Sequence, residues 1–168
     1  MTTEHLVGFA RTVRHEANNL LAAIGGTADL MRRSAMSERD AARADRLREA
    51  SSRLEALLRA YLSLAAPPAD DTPPAAVLGA LHPLFVLILG PGREVVIDAA
   101  ADIPPLGVPA GELQATALSL ATEAAEQARP GSGLRIALAA CTGGALLTVA
   151  SQPGGAAPLP LFLPGAEP

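Results

Sequence analysis

Lysine is absent: all thirteen basic side chains of the 168-residue chain are arginine. Tryptophan is absent too, with one tyrosine and three phenylalanines, so aromatics make up only 2%. A core must therefore be built from Leu, Val and Ala, which favours close helix packing over a large aromatic-lined pocket. The single cysteine, Cys141, excludes an internal disulfide and a cysteine metal cluster. No stretch approaches the ~20 apolar residues of a membrane-spanning helix. The longest apolar run, 78–89, is interrupted by His82 and Pro83. The N-terminus carries charges throughout and has no signal-peptide pattern. These features predict a cytoplasmic protein without membrane association.

Charge is unevenly spread. Residues 1–66 hold ten Arg against eight acids, a net of +2; residues 67–168 hold three Arg against nine acids, a net of −6. The overall charge of −4 argues against a nucleic-acid binder. The mildly basic first part suits an acidic partner surface.

The apolar fraction, 49%, permits a buried core. Residues 4–34 fit one amphipathic helix at about 100° per residue. Leu6, Phe9, Ala10, Val13, Ala17, Leu20, Leu21, Ile24, Ala28 and Met31 form one stripe, centred opposite His15. The His15 face holds Arg11, Asn18, Asn19, Ala22, Gly26, Asp29 and Arg33. Ser37 with Asp40 reads as an N-cap with an acid three residues on. A second helix then runs over about 38–65, with Leu47, Leu54 and Tyr61 in one heptad series and Ala50, Leu57 and Leu64 in the companion series. Two such helices predict an antiparallel hairpin, and two hairpins predict a dimeric four-helix bundle.

Pro67, Pro68, Pro73 and Pro74 mark a linker over 67–74. Beyond it the pattern predicts a helix near 75–84, a strand at 93–99, a long helix over 110–128 and strands at 134–140 and 145–151. The Pro- and Gly-rich tail from Gln152 reads as irregular. The expected fold class is α+β: a helical hairpin domain over 1–66, the linker, and a small α/β domain over 75–168.

His15 is the residue that this pattern singles out. It lies opposite the apolar stripe, in a stretch, RHEANNLLAAIGG, that collects poor helix formers. A mid-helix glycine costs about 1 kcal/mol against alanine. His15 is followed on its own face by Ala22 and Gly26, a nearly side-chain-free track on which another protein can lie close. Histidine retains a neutral, nucleophilic form around neutral pH. Glu16 is placed to hold the ring or accept its proton, Asn19 to hydrogen-bond a phosphoryl oxygen or a water, and Arg11 to neutralise charge. His5 and His82 are isolated and read as structural, and no spacing supports a metal site.

The segment RHEANNLLAAIGGTADLMRR resembles the H-box of two-component histidine kinases, in the form H-[DE]-x-N-N-L-L-x-x-I-x-G-x-A-[DE]-L. The resemblance implies a phosphoacceptor at His15, an assisting acid at Glu16 and, at Asn19, a residue supporting dephosphorylation of the partner. The second part is similar to a worn ATP-binding domain of the same family. LQATALSLATEAAEQA stands where the family has its asparagine-bearing helix, but with Ser119 and Glu123 at the asparagine positions. LLTVASQPGG stands where V-x-V-x-D-N-G-x-G is expected, with Ser151 for the adenine-anchoring Asp and Pro153 for the first Gly. The expected function is thus a histidine-containing phosphotransferase that relays a phosphoryl group between aspartates of response-regulator receiver domains. It needs no cofactor of its own, the receiver supplying magnesium, and Arg11, Asn18, Ala22 and Gly26 form the partner face. Two other readings are a response-regulator phosphatase and a non-catalytic dimeric interaction module.

Overall fold

A computed structural model of the chain describes residues 3–100, 103–153 and 157–166, with side chains from Arg14 onwards. Helix α1 spans Thr3–Arg33 and α2 spans Glu38–Ala65, followed by α3 (Pro74–Ala80), α4 (His82–Leu89), β1 (Val95–Ala99), α5 (Ala110–Glu126), β2 (Gly133–Cys141), β3 (Gly144–Gln152) and β4 (Leu159–Pro164). The architecture is mixed α+β, with five helices and one four-stranded sheet among the described residues. The chain divides into two compact units, 1–66 and 67–168.

In the first unit, α1 and α2 are joined by a turn at 34–37 and pack side by side. Ser37 caps α2, its Oγ accepting from the Asp40 backbone N–H at 3.2 Å and donating to the Asp40 carboxylate at 2.7 Å. Both contacts are local, and Asp40 adds a negative charge in the first helical turn, where the macrodipole favours it. Arg32 pairs with Asp45 at 2.6 Å and Asp29 with Arg48 at 3.5 Å. One step of three down α1 matches one step of three up α2, so the helices run in opposite senses.

Small residues set the contact between them. Ala28 and Ala44 are almost fully buried, Leu21 and Ser51 are buried as well, and the Ser51 hydroxyl donates to the Leu21 carbonyl at 3.4 Å. The heptad series read from the sequence does not make this contact. Leu47, Leu54 and Tyr61 are exposed, as are Leu20, Ile24 and Met31 of the α1 stripe. One hairpin has too little surface to cover both series.

The second unit is a two-layer sandwich. The sheet order is β1-β2-β3-β4, with β1 parallel to β2 and the remaining pairs antiparallel. Parallel pairing demands a long crossover, and α5 supplies it. Leu134, Ile136, Leu138, Leu147 and Val149 alternate along β2 and β3 and are buried, as are Leu78, Leu81 and Phe85 of the α3–α4 segment and Leu113, Ala117 and Ala121 of α5. This period-two alternation against a helical layer forms the core.

Three expectations are corrected here. The single helix expected near 75–84 is two, because Pro83, with no N–H to donate and a ring that crowds the preceding turn, opens a new helix. Residues 67–73 belong to the second unit and are tied to it. Asp70 Oδ1 accepts from the Ala110 backbone N–H at 2.9 Å and caps α5, whose own preceding residue, Pro109, has no capping side chain. The tail expected to be irregular forms β4, an edge strand. An edge tolerates Pro160 and Pro164 because half of its N–H groups have no ladder partner. Beyond it, Gly107 donates to the Pro164 carbonyl at 2.8 Å and covers that end. Gly144 is required where β3 meets β4, since a Cβ there would lie 2.0 Å from the Leu163 carbonyl oxygen.

Candidate functional site

His15 sits near the middle of α1, which the long amphipathic pattern makes continuous from Thr3 to Arg33. Its imidazole is exposed, as are Glu16, Asn18, Asn19, Ala22 and Gly26. None of His15, Glu16, Asn18 and Asn19 has a side-chain partner among the described residues. The opposite side of the helix supplies the packing, with Leu21 and Ala28 buried. The site is therefore a set of solvent-facing side chains on one continuous helix, not a pocket.

Successive residues on a helix stand about 100° apart and do not face one another. Glu16 accordingly makes no ion pair with His15. Asn19, four residues on, is one turn along the same face and the nearest polar neighbour in helical position. Arg11, one turn back, is in α1, but its side chain lies outside the described ones, as does that of His5.

The two glycines are the most informative feature. A Cβ built at Gly25 or at Gly26 would meet nothing within 4 Å. Neither glycine is needed for close packing within the chain, and both have helical backbone. Each lowers helix stability by about 1 kcal/mol relative to alanine, with no compensating contact at the Cβ position among the described residues. Gly26 follows His15 by eleven residues and shares its face. Ala22 lies between them, so the surface below the imidazole is low over about three turns.

The second unit shows a different chemistry. Ser119 and Glu123 lie one turn apart on the solvent side of α5, and the Glu123 carboxylate accepts from the Gln127 side-chain amide at 3.2 Å. Ser151 is buried, with its side chain toward the core. Position 123 thus presents a carboxylate and position 151 a hydroxyl, where the resemblance calls for an asparagine and a carboxylate. No cluster of three His, Cys, Asp or Glu side chains suited to a metal ion occurs among the described residues. His82 is exposed at the start of α4, and Cys141 is exposed and unpaired at the end of β2. No described helix is long and apolar enough to cross a membrane.

No family model matches the chain, and no curated protein matches it. Among solved structures it is similar to full-length ShkA, crystallised in complex with AMPPNP, with 22% identity and a TM-score of 0.45. The match covers 89% of this chain and 33% of that one, so the chain spans about a third of ShkA's length. A likeness at this level carries no functional argument, and the reading of the site rests on its own chemistry.

Proposed function

We propose that the protein is a histidine-containing phosphotransferase. His15 takes a phosphoryl group from an aspartyl phosphate on one response-regulator receiver domain and passes it to an aspartate on another. The carrying observation is the exposed imidazole, with no partner among the described residues, on a continuous helix whose glycine-bearing face is left open by the described residues. An imidazole nitrogen attacks phosphorus, an N–P bond forms, and the aspartyl carboxylate leaves; the reverse step discharges the group. The receiver contributes magnesium and its own carboxylates. This chain contributes the positioned nucleophile, Asn19 to hydrogen-bond a phosphoryl oxygen, Glu16 as a nearby acid, and a docking face comprising Arg11, Asn18, Ala22 and Gly26.

The working form is a homodimer in which residues 4–65 of two copies make a four-helix bundle. Leu20, Ile24 and Met31 on α1 and Leu47, Leu54, Tyr61 and Leu64 on α2 are all exposed in a single chain. Soluble monomers rarely leave so many large apolar side chains open along one pair of helices. The second unit resembles an ATP-binding domain without its nucleotide-binding groups, so the chain does not phosphorylate itself.

Incubation with phosphorylated receiver domains from the same genome tests the reading. The expected result is acid-labile, alkali-stable phosphate on the wild type and none on His15→Ala. Label that persists in the variant sinks the assignment. A receiver that loses its phosphate without labelling His15 makes the protein a phosphatase instead, with Asn19 orienting water. No effect on any receiver leaves an interaction module.

A further inference from the structure

The face that begins at His15 ends in a charged cavity. Asp29, Arg32 and Arg33 of α1 and Arg48 of α2 line an open space of about 290 Å³. Arg32 is held by Asp45 and Arg48 by Asp29, while Arg33 makes no ion pair or hydrogen bond among the described residues. Three guanidinium groups thus meet two carboxylates, and the excess positive charge lies on the residue with no partner.

The fold accounts for only part of this arrangement. The paired side chains keep 41% to 62% of their surface exposed, and exposed pairs of this kind add little stability. Arg32 and Arg33 lie in the last turn of α1, where cations complement the helix dipole. Arg48 lies well inside α2, far from either terminus, and has no such reason to be there. The cavity has room for a carboxylate and several waters, and arginine is the side chain suited to holding a carboxylate in two-pronged fashion.

Its position is equally specific. Arg33 follows His15 by eighteen residues, five full turns, so it shares the azimuth of the imidazole at about 27 Å along the helix. Ala22 and Gly26 lie between. A helix laid on that low track and extending to Arg33 needs about eleven residues from Ala22, an ordinary helix length. A folded domain of about 120 residues has a radius of gyration near 14 Å, so a single partner reaches both ends.

Building on the reading of His15 as phosphoacceptor, we propose that the cavity formed by Asp29, Arg32, Arg33 and Arg48 is the anchor of the receiver-docking face and takes an Asp or Glu side chain of the receiver. The contact fixes the receiver's rotation about the α1 axis while its reactive aspartate stands at His15. It supplies selectivity, because a receiver with a neutral or basic residue at that point leaves Arg33 unpaired or repelled.

The test is a binding titration of the full chain against the set of receiver domains from the same genome, at low and high salt, with His15 labelling followed in parallel. Arg33→Glu is compared with Arg33→Lys and with Arg53→Glu, which makes the same charge change at an arginine outside the cavity. Circular dichroism verifies that each variant keeps its helices. The expected result is at least one receiver whose affinity falls with salt, falls by about tenfold or more in Arg33→Glu, and stays within about threefold of wild type in Arg33→Lys and Arg53→Glu. Equal affinity for wild type and Arg33→Glu overturns the proposal. So does an equal loss in Arg33→Glu and Arg53→Glu, which would make the effect general charge. Loss of binding to duplex DNA or to anionic vesicles in Arg33→Glu, with receiver binding intact, overturns it as well. Binding through Arg33 without label on His15 keeps the anchor and rejects the phosphotransferase. Label on His15 with no effect of Arg33→Glu does the reverse. If no receiver binds, both fall.

Discussion

Replacing Gly26 by arginine should make the protein more stable and less active at once. The backbone at Gly26 is already helical, and a Cβ there has nothing within 4 Å, so a side chain enters without displacing any group. Helix propensity then improves by about 0.8 kcal/mol, the difference between Gly and Arg in a helix interior. For a cooperative unit of 60–100 residues, a gain of this size raises Tm by about 3–6 °C. Residues 1–66 form a compact unit of this size, so if it unfolds in one step, thermal unfolding followed by helical ellipticity should move up within that range. The same side chain stands on the low track below His15, and a partner that lies there must now climb over it. Transfer of phosphate from a receiver to His15 should slow by about tenfold or more, while the imidazole, about three turns away, is chemically unchanged. Ser34→Arg, an equally bulky change near the end of α1, should leave transfer close to wild type. A Gly26→Arg protein that melts lower than wild type would show that the glycine has a structural reason, such as a bend. One that is stabilised and transfers at the wild-type rate would refute the docking face.

Leu54→Asp should dissociate the proposed dimer or unfold its first unit, because Leu54 is 46% exposed in one chain and the proposed bundle would cover it with the second copy; a wild-type mass of one chain at micromolar concentration in analytical ultracentrifugation would contradict the bundle. ATP with magnesium should give no heat of binding in calorimetry, given Glu123 and Ser151 at the positions where the resemblance calls for Asn and Asp; micromolar affinity or self-phosphorylation would show that the second unit still works. Asp70→Ala should cost about 1 kcal/mol, the usual value of a lost helix cap, because Asp70 is the group that accepts the Ala110 N–H; chemical denaturation of the second unit would register this, and an unchanged midpoint would mean that water replaces the carboxylate without loss.

How far this chain can be read from its residues depends on the range of the interaction involved. The Ser37 cap was legible because donor and acceptor lie three residues apart. So was the polar face of α1, since 3.6-residue periodicity places His15, Asn19, Ala22 and Gly26 together whatever the helix packs on. The exposure of those residues follows from the position of the apolar stripe, and the structure adds that a Cβ at either glycine would meet nothing within 4 Å among the described residues. The helix break at Leu81–His82 was signalled by Pro83, yet a continuous apolar run hid it, because the same leucines serve one long helix or two short ones. LPLFLP was misread for the opposite reason. Its prolines disfavour a strand in the interior of a sheet, and only the sheet order reveals that this strand has a free edge.

The longest-range features were the least legible. Which apolar series of α2 meets α1 depends on how closely two helices approach, and Ala28 and Ala44 are buried and allow an approach at which the Ser51 hydroxyl reaches the Leu21 carbonyl while Leu47 and Leu54 stay exposed. The cavity at Arg33 shows the same limit. Asp29 and Arg33 were visible on the His15 face, but Arg48 joins them only through the register of the second helix, seen in pairs of side chains thirteen and nineteen residues apart with a turn between. A site that one helix writes by itself can be read from periodicity, whereas a site shared by two helices needs the register. The imidazole is of the first kind and the arginine anchor of the second. On the proposed docking, selectivity among receivers should therefore change through substitutions on α2, such as at Arg48, that leave the His15 segment untouched.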